Sequence, residues 1–82
     1  EALLREVLVE RERVLGFDHP DTLASRDSLA GVFRSAGRLD EAEALLREVL
    51  VERERVLGFD HPDTLASRDS LAGVYRSAGR PD

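Results

Sequence analysis

The 82-residue chain contains no cysteine, lysine, asparagine, glutamine, isoleucine, methionine or tryptophan. Without cysteine there are no disulfides and no thiolate metal sites, although the compartment stays open. No run approaches the roughly 18 apolar residues that a membrane-spanning helix needs. No basic segment followed by an apolar stretch marks a signal peptide, and the chain starts at Glu1 without a methionine. It therefore reads as a piece of a longer protein. Basic residues are outnumbered, 12 against 17 acids, for a net charge of −5. That balance disfavours nucleic acid, whose non-specific binding relies on Lys and Arg neutralising phosphates. It disfavours anionic membranes for the same reason. All 12 basic residues are Arg. Fold physics gives no reason to drop Lys and Asn together, whereas a codon bias toward guanine and cytosine does. The composition points to a natural gene of a GC-rich bacterium more readily than to a designed consensus, and the expected location is cytoplasmic.

What the chain does contain is a repeat. Residues 1–40 and 43–82 agree at 38 of 40 aligned positions, at an offset of 42. The exceptions are Phe33 against Tyr75 and Leu39 against Pro81. A fixed period between about 20 and 50 residues signals stacked units, each hiding its apolar face against the next copy. Ala42, Leu45, Leu46, Val49, Leu50, Val56 and Leu57 recur at three- and four-residue steps, which makes an apolar helical stripe. Asp40 with Glu43 reads as an acidic capping box. Glu43–Arg47 and Glu52–Arg55 are helical ion-pair spacings. Gly58 suits a left-handed stop, with Phe59 folding back as its apolar contact. Asp60-His61-Pro62-Asp63 opens the next helix, with Asp60 or His61 as the cap and Pro62 in the first turn. Gly73, inside that helix, suggests close packing or a surface that a partner approaches. The predicted helices span about 1–15, 20–36, 40–57 and 62–78. Short loops make consecutive helices antiparallel neighbours. The expected fold is all-α, one α-solenoid segment of antiparallel helix pairs, with about two repeats cut out of register.

The pattern Leu29-Ala30-x-x-Phe33-x-x-x-Gly37-x-x-Asp40-Glu41-Ala42, echoed in Leu71-Ala72-x-x-Tyr75-x-x-x-Gly79, resembles a tetratricopeptide repeat. The stretch from Arg53 to Pro62 is similar to the long second helix and His-Pro turn of the 42-residue form, as in kinesin light chain, and to arrays in large bacterial signalling proteins. There are departures. Arg26 and Arg68 stand where the family has a large aromatic. Glu54 stands where the 34-residue form ends its helix with Pro. Asp27-Ser28 and Asp69-Ser70 stand where kinesin-type repeats often carry Asn-Asn, whose second amide can clamp a peptide backbone. Ser is shorter and lacks that amide, so such a clamp is not implied. The resemblance implies a protein or peptide partner of unspecified identity.

No residues assemble into chemistry. His19 and His61, each flanked by acids, fall one repeat apart, and a capping turn accounts for each more simply than a metal site does. Ser25, Ser28 and Ser35 with His19 have nothing to orient a base toward a hydroxyl. No Gly-rich phosphate loop or paired-carboxylate pocket is present. The expectation is a non-enzyme without cofactor or metal. Asp27, Gly31, Arg34 and Ser35 share one helix face, repeated by Asp69, Gly73, Arg76 and Ser77, and the resemblance places that face in a concave groove. It is either a solvated, ion-paired face or a binding strip. Leu3, Leu4, Val7 and Leu8 at one end, and Leu71, Val74 and Tyr75 at the other, are expected to lie uncovered. They would stack head to tail between copies. The two readings of function are a protein-interaction scaffold and a self-assembling spacer.

Overall fold

The computed structural model describes residues 2–79. Glu1, with which the first helix was expected to begin, lies outside them. Four α-helices follow one another: α1 Ala2–Leu15, α2 Pro20–Ser35, α3 Leu39–Leu57 and α4 Pro62–Ser77. There is no strand among the described residues. Each helix packs chiefly on its chain neighbours, which is the one-dimensional logic of a solenoid. The slab measures 37 × 32 × 15 Å.

Local signals set the helix ends. His19 and His61 are the caps left open by the sequence: each Nδ1 accepts the amide N–H two residues on, Asp21 and Asp63, at 3.0 Å. That leaves Pro20 and Pro62 at the first helical position, where the missing N–H costs nothing. The start of α3 differs from expectation. The helix begins at Leu39, so Asp40 lies inside its first turn and is not the cap. Arg38 holds the cap position without a side-chain cap bond. Its backbone N–H instead donates to Phe33 O at 2.8 Å, while Gly37, at φ 79°, donates to Arg34 O at 3.1 Å. This pair of bonds closes α2 in a Schellman turn and leads straight into α3.

The stop of α3 is of another kind. Gly58 has φ 94° and ψ 165°, an extended positive-φ conformation open to glycine alone. The chain leaves the helix outward instead of curling back. Phe59 therefore does not make the apolar contact expected of it. It is exposed, as is Phe17 in the first copy.

The core is Leu8, Leu29, Ala30, Phe33, Ala42, Leu46, Leu71 and Val74, with Leu4, Leu39, Leu45, Leu50 and Tyr75 packed around it. Val49 is fully buried as well. Each buried Leu, Val or Phe contributes about 1.5–3 kcal/mol.

Candidate interaction surfaces

Near-identical repeats provide an internal control, since residues 42 apart share their chemistry and differ only in neighbours. Leu23 is 2% exposed and its counterpart Leu65 is 45% exposed. Ala30 and Phe33 are buried, whereas Ala72 and Tyr75 are half-exposed. One end of the slab is thus the α4 face of Leu65, Ala72 and Tyr75. At the other end, Val7 is 36% exposed against 0% for Val49, and Val32 is 36% exposed against 0% for Val74. Leu3 is exposed and Leu4 half-buried. The expected end faces need correction on this basis. Leu8, Leu71 and Val74 belong to the chain's own core, because α2 and α3 cover them; Leu65, Ala72 and Val32 take their places.

The predicted strip of Asp27, Gly31, Arg34, Ser35, Asp69, Gly73, Arg76 and Ser77 runs along α2 and α4, but much of it is engaged within the chain. The Arg34 guanidinium lies across Gly73: a Cβ at position 73 would sit 2.8 Å from Arg34 Nη1. Arg34 Nε also donates to Ser77 Oγ at 3.3 Å. Gly73 is buried beneath this arm, so its glycine answers to close packing. Asp27 Oδ2 faces Arg53 Nη1 at 3.9 Å. Asp69 and Arg76 are exposed and, among the described residues, have no ion-pair or side-chain hydrogen-bond partner. A cavity of ≈ 130 Å³ lined by Asp27, Ala30, Gly31, Arg34, Leu46 and Ser70 sits between α2, α3 and α4.

One residue set went unmarked in the sequence, and a second was marked only as a departure from the family pattern. Arg53 is buried and donates to Ser67 Oγ at 2.7 Å and to Asp63 O at 3.3 Å. Arg11 makes the same bonds to Ser25 Oγ, 2.7 Å, and Asp21 O, 3.0 Å. The available signal was position: Arg53 follows Val49 and Leu50 at helical steps and interrupts the apolar stripe. The second set explains the missing aromatic. Arg26 is buried, donates to Glu12 Oε2 at 3.2 Å and to Phe17 O at 3.1 Å, and stacks 5.0 Å above the Phe17 ring. Arg68, which is exposed, repeats the ion pair, with Glu54 at 3.2 Å, and the ring contact, with Phe59 at 5.3 Å. At the position where the family pattern has a large aromatic, a guanidinium thus contacts both a carboxylate and a ring.

Between α1, the turn after it and α3 lies a larger hollow of ≈ 720 Å³, with Leu8, Leu45 and Val51 among its apolar walls and Asp18, Glu48 and Glu52 on its rim. Arg55 spans part of that rim, bonding Glu52 at 2.7 Å and Asp18 at 2.9 Å. Hydrogen bonds to Glu52, then to Asp18, raise the Arg55 guanidinium above its ordinary range. Glu10 is held below the usual carboxylate range by its hydrogen bond from Arg13.

Among the described residues no group of three or more His, Asp or Glu could hold a metal ion. No described helix is long and apolar enough to cross a membrane. The Oγ1 atoms of Thr22 and Thr64 are buried without a hydrogen-bond partner.

The family model described as tetratricopeptide repeat matches residues 1–21 and 22–63. Among solved structures, the chain is similar to nearly identical TPR-like repeats assigned to a kinesin light chain of Podosopora anserina. The identity is 34% and the TM-score 0.84, over 96% of this chain and 37% of that one. No curated protein matches.

Proposed function

The chain belongs to the tetratricopeptide repeat family, a family of non-enzymatic scaffolds, and from that premise we propose that it is a protein-interaction scaffold whose partner binds along α2 and α4. The observation that supports this reading best is the polar strip repeated on one face of α2 and α4, with Asp69 and Arg76 exposed in its second copy. Ser70 and Ser77 lie beside them. The partner proposed is a protein or peptide, and neither nucleic acid nor membrane, in keeping with a net charge of −5. The proposed setting, from composition, is the bacterial cytoplasm. A random peptide library panned against the immobilised chain should enrich binders that the Asp69→Ala, Arg76→Ala double variant no longer holds. Enrichment that survives the double variant unchanged would place the binding surface elsewhere.

A second reading has its own support in the burial of equivalent residues. The α4 face of Leu65, Ala72 and Tyr75 and the opposite face of Leu3, Val7 and Val32 are the two halves of a contact already made once inside the chain. On this reading the protein is a spacer that stacks head to tail through near-identical 42-residue repeats. The contact is heterologous, so it extends rather than closes. The Leu4→Glu variant should then stay monomeric at concentrations where the parent associates, and equal association of both would sink this reading.

A further inference from the structure

Resting on that second reading, we propose that a second copy of this chain docks head to tail in a single register. Three polar contacts would fix it: Asp60 to Arg13, Asp69 to Arg11, and Arg76 laid across Gly31 toward Ser35 of the incoming copy.

The boundary between the two repeats inside the chain provides the template. There Asp18 meets Arg55 at 2.9 Å and Asp27 meets Arg53 at 3.9 Å. Arg34 crosses Gly73 and donates to Ser77 at 3.3 Å. Advancing the first member of each contact by one period of 42 gives Asp60, Asp69 and Arg76. The residues they would meet are those of a following repeat. The chain's own first repeat carries those residues, as Arg13, Arg11, Gly31 and Ser35.

Each member is in place and waiting. Among the described residues, Asp60, Asp69 and Arg76 have no ion-pair or side-chain hydrogen-bond partner. Arg55 holds two carboxylates, whereas among the described residues its counterpart Arg13 holds only Glu10, at 2.8 Å. Arg11 keeps its bonds to Ser25 and Asp21, as Arg53 does to Ser67 and Asp63, but lacks the third group that Asp27 provides to Arg53. Gly31 carries the sharpest information. Glycine inside a helix is unfavourable. At Gly73 the Arg34 arm lies where a Cβ would sit, yet a Cβ at position 31 would meet nothing within 4 Å. Its smallness is explained by an arginine arm arriving from a neighbouring repeat, the role Arg76 is placed to fill.

The apolar faces supply attraction without choosing a register, because Leu and Val surfaces tolerate sliding. Directional charged contacts choose it. A slip of one helical turn, about 5.4 Å, would take all three contacts apart together. A further repeat in a longer chain would use the same contacts.

The test is sedimentation equilibrium of the whole chain, with circular dichroism to check folding. Asp60→Arg and Arg13→Asp alone should each weaken association about two- to fivefold, the scale of exposed ion pairs. An equimolar mixture of the two should recover wild-type strength within about twofold. In an alternating stack, the swapped pair meets at one junction and the native pair at the next. Gly31→Arg should fold at least as stably as the parent but associate more weakly. If the wild type associates and these variants and their mixture all associate equally well, the register proposal is wrong and the stacking reading stands. A wild type that stays monomeric at millimolar concentration overturns both.

Discussion

Arginine occupies three different environments in this small chain. Arg34 is a lid over a glycine, Arg26 replaces a ring in the core, and Arg53 braces two helices from inside. The two copies make these roles separable by experiment. Gly31→Ala should stabilise the chain by about 1 kcal/mol, because nothing opposes the gain in helix propensity. The same change at Gly73 displaces Arg34 from its seat, so the gain should largely cancel. In an Arg34→Ala background the full gain should return. Thermal or urea unfolding of the double-mutant cycle checks this, and equal effects at both glycines would refute the lid. Glu12→Ala should cost about 1–3 kcal/mol by leaving the buried Arg26 short of a partner. Glu54→Ala should cost under about 1 kcal/mol, since Arg68 is 42% exposed in its side chain.

At the scale of the helix, the ends and faces carry the account. His19→Ala removes the acceptor for Asp21 N–H and should cost about 0.5–2 kcal/mol in unfolding free energy. His19→Asn should restore most of it, and an Asn variant as weak as Ala would mean the imidazole acts otherwise. Ala30→Leu should overpack the crossing of α2 with α3 by about 1–3 kcal/mol, because Ala30 is buried. Ala72→Leu, on a half-exposed site, should be nearly neutral.

Helix existence, order and type were legible in the sequence because periodicity and the His-Pro turns agree. Asp40 was misread as a cap because the Schellman turn at Gly37 leads straight into α3 and puts Arg38 at the cap position, two residues before Asp40. Phe59 was misread because the ψ of Gly58 decides where the chain exits, and glycine permits either direction. The strip on α2 and α4 was legible as a face. Its internal engagement was not, since it depends on how far an Arg side chain reaches across a repeat boundary. Leu71 and Val74 were placed at an end by position alone, although α3 and α2 cover them.

At the scale of the molecule, the structure is one boundary between repeats, made once, flanked by the two halves of another. Exposure of Leu65 against Leu23, and of Val7 against Val49, measures what a further repeat would cover. Burying these side chains at about 1.5–3 kcal/mol each opposes the entropy of association. On the proposed stacking reading, that balance tips toward association at high concentration. The proposed polar contacts, such as Asp60 to Arg13, would be exposed and would weaken with salt, while the apolar part would not. The most direct measurement is the solution mass of the whole chain from micromolar to millimolar concentration, beside that of Leu65→Glu. The account predicts that the parent's mass climbs through successive multiples of the monomer while Leu65→Glu remains a folded monomer. A parent that holds the monomer mass throughout, or a Leu65→Glu variant that climbs with it, would contradict the account.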